Sequence, residues 1–321
     1  MKIVILDSRP MDAGDLDWTP LRALAPDGLV LHEQTAPGQV VERIVGADVV
    51  CTNKAPLDAA AFAVAAPRLR LVSVLATGYN VIDLGAARDH GVTVCNVPGY
   101  STASVTQATI GLLLELAHGV GHHAERVRGG AWQRAGVWSF SDCPLVELDG
   151  KTLVIVGLGA IGRRVARVAE ALGTTVFAAR LPGRDDSHGD DVPRLPLDEA
   201  LARADAVTLH CPLTPDTHGL MSAERLARMK PSAFLVNTAR GPLVDEGAVA
   251  DALRAGRLAG YAADVLSEEP PDGGSPLFHA PRCLITPHLG WATRESRRRL
   301  LDATVANVRA FLAGAPQNVA G

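Results

Sequence analysis

The run Leu153-Val154-Ile155-Val156 leads directly into Gly157-Leu158-Gly159-Ala160-Ile161-Gly162. An apolar segment of strand type meets a G-x-G-x-x-G turn. Ile161, Val165, Val168 and Leu172 then recur at helical spacing, and Gly173 supplies a stop. Strand, tight turn and helix are therefore expected in that order. Gly157 permits the turn, Gly159 lets a pyrophosphate approach the backbone, and Gly162 lets helix and strand pack closely. The helix N-terminus offers N–H groups and the positive end of a dipole to phosphate. Glycine-rich turns also close ordinary strand–helix units, so the motif needs its context. A second strand, Thr175-Val176-Phe177-Ala178-Ala179, follows at the right distance and marks a dinucleotide-binding unit.

The 321 residues are enough for two domains with sizeable cores. A net charge of -4 gives no electrostatic reason to expect nucleic acid or an anionic membrane as partner. No apolar run is long enough to span a bilayer, and no basic-then-apolar leader precedes the first strand. Cys51, Cys95, Cys143, Cys211 and Cys283 are scattered, odd in number and without a C-x-x-C pair. They read as reduced thiols of a cytoplasmic protein. The pair His122-His123 lacks metal spacing and a nearby carboxylate–cysteine set in sequence, and reads as a solvated helix end.

Strands alternate with helices along the chain, which implies wound parallel sheets. Before the glycine motif, strands are expected at Lys2–Leu6, Val49–Cys51, Leu69–Leu75 and Val92–Cys95. Helices are expected at Leu57–Ala65 and from an Asp83 cap to His90. Pro98-Gly99-Tyr100 breaks this pattern, and a long crossover helix begins near Thr102. Gly129-Gly130 and Trp132 to Pro144 read as irregular. Beyond the motif, strands are expected at Ala206–His210, Ala233–Asn237, Leu258–Ala263 and Cys283–Thr286. Ser222 and Asp245 are placed to cap helices. A last helix, about Arg294 to Leu312, is expected to return to the first domain. Its run Arg297-Arg298-Arg299 reads as a wet face, and the acidic stretch Asp185-Asp186 to Asp190-Asp191 as a solvated loop.

Ligands of open α/β sheets bind at the carboxyl ends of the strands. Polar residues collect there: Thr77-Gly78 in the first half, Arg240, Asp264 and His288 in the second, with Glu269 just beyond Asp264. A single Arg at such a place is more often a surface ion pair, and a single His a structural residue. Several at the ligand-facing ends of a dinucleotide domain point to chemistry.

Four segments together resemble the D-isomer-specific 2-hydroxyacid dehydrogenase family. They are Asn237-Thr238-Ala239-Arg240-Gly241-Pro242-Leu243-Val244-Asp245-Glu246, Asp264-Val265-Leu266-Ser267-Glu268-Glu269-Pro270, Thr286-Pro287-His288 and Ala76-Thr77-Gly78. With the glycine motif they cover nearly the whole chain. Asn96-Val97-Pro98-Gly99-Tyr100-Ser101, Leu209-His210-Cys211-Pro212-Leu213-Thr214 and Gly290-Trp291-Ala292-Thr293 most resemble the glycerate dehydrogenase or hydroxypyruvate reductase branch.

The resemblance implies an α/β chain of two wound parallel-sheet domains. Residues 1–100 with 293–321 would form a flavodoxin-like substrate domain, and residues 101–292 a Rossmann cofactor domain. It implies reduction of a small 2-keto acid, hydroxypyruvate and also glyoxylate, with NADP or NAD. His288 would be the acid/base, Glu269 would orient it, and Arg240 would bind the substrate carboxylate and carbonyl. Asn53, Thr77, Gly78 and Tyr79 would line the substrate. Thr106, Gly157, Gly159, Ala160, Ile161, Gly162, Arg180, Cys211, Pro212, Thr217, Thr238, Ala239 and Asp264 would meet the cofactor. A homodimer through the cofactor domain is implied. Trp132 would then serve core or interface packing, and Trp138 would be a substrate-pocket candidate contributed in trans.

Two positions depart from the family pattern. Arg180, with Arg184 nearby, stands where NAD-preferring relatives carry an acid for the ribose hydroxyls, which points toward NADPH or dual use. Gln107 stands where relatives often have Glu. Two alternatives to this reading remain. A phosphoglycerate dehydrogenase often carries an appended regulatory domain, whereas this chain stops at Gly321. A cofactor-sensing scaffold of the corepressor kind would bind cofactor without turnover. Glu269 speaks against a formate dehydrogenase, where Gln is usual.

Overall fold

The computed structural model describes residues 1–65, 67–183 and 192–320. Arg184 and the acidic stretch 185–191 lie outside the described residues. The chain divides into two compact units, one of Met1–Ser101 with Trp291–Gly321, the other of Thr102–Gly290.

The first unit contains β1 (Ile3–Ile5), α1 (Thr19–Arg22), β2 (Leu29–Leu31), α2 (Val40–Ile44), β3 (Val49–Thr52), α3 (Ala59–Ala65), β4 (Leu71–Val74), α4 (Leu84–Asp89) and β5 (Thr93–Cys95). The second contains α5 (Thr102–His118), α6 (Val120–Arg128), α7 (Ala131–Ala135), β6 (Thr152–Val156), α8 (Ala160–Ala171), β7 (Thr175–Arg180), β8 (Arg194–Pro196), α9 (Leu197–Arg203), β9 (Ala206–Leu209), α10 (Ala223–Leu226), β10 (Phe234–Asn237), α11 (Glu246–Arg254), β11 (Gly260–Ala263) and β12 (Cys283–Ile285). The last helix, α12 (Arg294–Leu312), belongs to the first unit.

Each sheet is parallel throughout. The first runs β2-β1-β3-β4-β5, the flavodoxin-like order, and the second runs β12-β11-β10-β9-β6-β7-β8. Both are covered on two faces, and the strand sequences show why. In β6, Leu153 and Ile155 enter one apolar cluster with α5 and α8, while Val154 and Val156 enter the cluster on the opposite face. A side-chain period of two with every position apolar can only be satisfied by helices on both sides. β1 divides in the same way, with Val4 on one face and Ile3 and Ile5 on the other.

The expected caps are present: Asp83 accepts from Ala86 N at 2.9 Å and Asp245 from Ala248 N at 2.9 Å. Ser222 caps α10, but that helix ends at Leu226 and not at Met229. The stretch expected to be irregular contains α7, entered through Gly130 in the left-handed region. Trp132 is 47% exposed, so it is not a core residue of this chain.

Arg297 is not part of a wet face. It is buried on α12, where it donates to both carboxylate oxygens of Asp15 at 2.6 and 2.9 Å and to the Met11 and Ala292 carbonyls. A guanidinium can be buried when its fork of donors is satisfied, and here all the acceptors except the Ala292 carbonyl come from a loop 282 and 286 residues away. Among the described residues, no helix is long and apolar enough to cross a membrane.

The bond from Arg297 holds the Asp15 carboxyl below the ordinary carboxylate range. The stability this pair contributes is therefore present at neutral pH and is lost as the pH falls through the folded value. Arg297→Met should lower the Tm by several degrees at pH 7 and flatten the acid limb of the Tm profile. Arg298→Met, at an exposed position of the same helix, should leave both unchanged.

Candidate active site

Three adjacent strands deliver the candidate side chains, because β10, β11 and β12 lie side by side and in parallel. Parallel strands end together, so the segments that follow them gather at one rim of the sheet.

After β10, the buried Asn237 shapes the turn. Its Nδ2 donates to the Arg240 carbonyl at 2.8 Å and its Oδ1 accepts from Ala239 N at 3.0 Å. Asn favours such side-chain-to-backbone turns. Thr238 Oγ1 is 2.8 Å from Thr109 Oγ1 on α5. Arg240 itself is exposed, with Nη1 donating to the Ala239 carbonyl at 2.6 Å. The next residue must be glycine. A Cβ on Gly241 would lie 1.9 Å from the Leu266 carbonyl carbon and 2.2 Å from Ser267 N. The Arg240 turn and the segment leading to Glu269 are therefore in backbone contact.

After β11, Leu266 N donates to Glu269 Oε1 at 3.1 Å, which leaves Oε2 for His288 Nδ1 at 2.7 Å. Both side chains are partly shielded. With Nδ1 engaged by the carboxylate, Nε2 is the ring nitrogen available for proton transfer.

His288 has φ +55°, the left-handed region, which costs a non-glycine residue about 1–3 kcal/mol. Asp264 holds it there. This carboxylate is 3% exposed. Its Oδ1 accepts from Thr286 Oγ1 at 2.6 Å and Leu289 N at 2.7 Å, and its Oδ2 from Gly290 N at 2.6 Å. The segment bearing His288 is thus clamped on both sides of the imidazole. Ser104 Oγ on α5 adds a bond to the Gly290 carbonyl.

In the middle of the sheet order, β6 and β9 are neighbours whose connections leave in opposite directions, the switch point of a wound sheet. Gly157 has φ +102°, and a Cβ there would lie 2.4 Å from Cys211 N, so only glycine passes beneath the β9 turn. A Cβ on Gly162 would lie 2.3 Å from the Gly157 carbonyl oxygen. Gly159, by contrast, faces open space, and the α8 N-terminus it precedes has no side-chain cap. These are the features a pyrophosphate requires: unspent N–H donors, a positive dipole end and no side chain in the way. The residues present fit a dinucleotide.

The remaining expected cofactor residues divide in two. Ala160, Pro212 and Arg180 are exposed at strand or turn ends, and Ile161, Thr238 and Ala239 are half-buried. Thr106, Cys211, Thr217 and Asp264 are buried. Of these, Thr106 donates to the Thr102 carbonyl at 2.7 Å, and Thr217 to the Pro212 carbonyl at 2.7 Å, bracing that turn. Gln107 is exposed on α5.

In the first unit, Asn53, Thr77, Gly78 and Tyr79 follow β3 and β4. Asn53 is buried, with Nδ2 donating to the Leu75 carbonyl at 2.6 Å and its backbone N to Asp7 at 2.7 Å. Thr77 donates to the Val97 carbonyl at 2.9 Å and Tyr79 is 38% exposed.

Sequence reasoning passed over Asn237 and Gly241 as site builders. Asp264, expected at the cofactor, also makes the bonds that clamp the His288 segment. Asn two residues before the turn was the available signal for the first. The contacts of Asp264 and Gly241 are with segments about 25 residues away and leave no local trace.

His210, at the end of β9, has its Nε2 shut off from solvent without a partner among the described residues. Burial pushes its pKa from about 6.5 down to about 3. The unfolded chain takes up this proton below about pH 6.5, the folded chain only near 3, so folding stability falls between those values. His210→Gln should flatten the fall in unfolding free energy across that window, as read by urea titrations at stepped pH.

Residues 110–290 match the family model described as D-isomer specific 2-hydroxyacid dehydrogenase, NAD binding domain. The chain is 44% identical over 322 residues to a hydroxypyruvate reductase of Blautia hydrogenotrophica, covering 99% of each. It is 39% identical over 321 residues to a glycerate dehydrogenase of Methylorubrum extorquens, covering 99% of this chain and 98% of the relative. The crystal structure of the TT0316 protein from Thermus thermophilus superposes with a TM-score of 0.88 at 35% identity, over the full length of both chains.

Proposed function

The chain belongs to the D-isomer-specific 2-hydroxyacid dehydrogenase family, and we propose that it reduces hydroxypyruvate, and also glyoxylate, to D-glycerate and glycolate. Interconversion of small 2-keto and 2-hydroxy acids is the activity that its relatives' names share, and the matching family model is of an NAD binding domain. The observation that carries the reading is the 2.7 Å pair of His288 and Glu269, on a segment in backbone contact with the Arg240 turn.

The α8 N-terminus at Gly159 and Ala160 would hold the pyrophosphate, and the reduced nicotinamide, when bound, supplies the hydride. The protein does the rest. Arg240 grips the substrate carboxylate and polarises the carbonyl with its fork of donors. His288 gives a proton from Nε2 to the carbonyl oxygen, and takes it back in the reverse direction. Glu269 holds Nδ1–H and so turns Nε2 toward the substrate. Asn53, Thr77, Gly78 and Tyr79 are assigned to substrate binding.

Arg180, exposed at the end of β7, supports a preference for NADPH, since a guanidinium there can pair with a 2′-phosphate. The five free thiols support a reducing compartment, the cytoplasm. Val120, Trp132, Val137, Trp138 and Leu145 are all exposed within one stretch of the cofactor unit. Grouped apolar exposure of this kind supports a homodimer through that unit.

His288→Ala should lower kcat by about 10²–10⁴ while leaving cofactor affinity in place, as read by stopped-flow turnover and nucleotide fluorescence. Near-normal turnover removes the assignment. Arg240→Lys keeps the charge but loses the fork, and should raise KM and lower kcat together. A panel of keto acids assayed with both reduced cofactors should give its highest kcat/KM with hydroxypyruvate and NADPH. A strong preference for NADH overturns the reading of Arg180. Sedimentation should report a dimer that Trp138→Ser weakens.

A further inference from the structure

The cofactor unit carries a second cluster of titratable groups that the reaction does not use. Gly119, in the left-handed region, joins α5 to α6, and His122 and His123 follow in the first turn of α6. The chain returns after α7, and Asp142 and Cys143 come to rest against that turn. His122 Nε2 is 2.6 Å from Asp142 Oδ1. His123 Nε2 is 3.7 Å from the same oxygen and 4.0 Å from Cys143 Sγ. The donor atoms of His122, Asp142 and Cys143 all lie within 4.8 Å of one another. The carboxylate–cysteine set that the sequence hides is supplied by a segment about twenty residues further along.

We propose that His122, His123, Asp142 and Cys143 form a zinc site. Three observations carry this. The donor set of two imidazoles, a carboxylate and a thiol is one that zinc accepts and that magnesium or calcium does not. Zinc bonds of about 2.0–2.3 Å place neighbouring donors of a tetrahedron roughly 3.2–3.7 Å apart, a range that the separations of 2.6, 3.7 and 4.0 Å found here bracket, so that small side-chain rotations bring the donors onto the ion. The surrounding contacts also orient the ligands. His123 Nδ1 is 2.8 Å from the Gly119 carbonyl, an acceptor only, so Nδ1 carries the proton and Nε2 presents its lone pair toward Asp142 and Cys143. Arg126 Nε donates to Asp142 Oδ2 at 2.5 Å and leaves Oδ1 toward the rings. The ion enters as the thiol proton of Cys143 departs to solvent and the ring proton of His122 moves from Nε2 to Nδ1, which frees Nε2 as a ligand. It then ties the extended segment around residues 137–145 to α6.

The test is a Co²⁺ titration of the full-length chain purified with chelator. One equivalent should bind with tetrahedral visible bands and a thiolate-to-metal absorption in the near ultraviolet, and Zn²⁺ should displace it while excess Mg²⁺ does not. Cys143→Ser should abolish the thiolate band and weaken binding by about tenfold or more, with keto-acid turnover unchanged. Zn²⁺ should raise the Tm of the parent chain and not that of the variant. His122→Gln gives a second reading that keeps every thiol, and it too should lose the tetrahedral bands. Octahedral bands without a thiolate transition, or equal binding by the parent and both variants, overturn the proposal.

Discussion

The carboxylate of Asp264 is the interaction on which the site depends. It is buried at the end of β11, and its two oxygens take three donors from the segment after β12. Charge-assisted bonds of this kind are stronger than neutral ones, and burial raises the cost of losing any of them. They hold His288 in a backbone conformation it would not choose alone. The imidazole is then turned to Glu269, and one nitrogen is left for chemistry.

That clamp works because the sheet is parallel and wound. Neighbouring parallel strands release their chains at the same rim, so β10, β11 and β12 bring Arg240, Asp264 with Glu269, and His288 to one edge from stretches about 25 residues apart. The same winding leaves β6 beside β9, where the glycine turn passes under Cys211 and an uncapped helix end faces open space. The candidate catalytic groups and the candidate phosphate site are thus placed by one sheet, at two places along its rim.

Polar groups away from the rim show where local reading stops. Arg297-Arg298-Arg299 looks alike in sequence, yet the first is buried against Asp15 and Met11 while the second is exposed. His122 and His123 look like a solvated helix end until the chain returns with Asp142 and Cys143. In each case the deciding partner is distant in sequence, and charge alone carries no record of it.

Much of the fold was legible because it rests on periodicity. Continuous apolar strands such as Leu153–Val156 demand cover on both faces, helix caps at Asp83 and Asp245 mark their own boundaries, and the spacing of Gly157, Gly159 and Gly162 announces a turn that phosphate can approach. The residue types at the strand ends were equally visible, since an Arg, a Glu and a His each declare their chemistry. Only the tertiary structure decided how they are held. The Asp264 clamp, the glycine required at 241 by the Leu266 backbone, the burial of Arg297 and the meeting of two histidines with a cysteine are contacts between segments far apart in the chain. Periodicity is written in neighbouring residues, whereas satisfaction of buried polar groups is settled only when the strands are laid side by side.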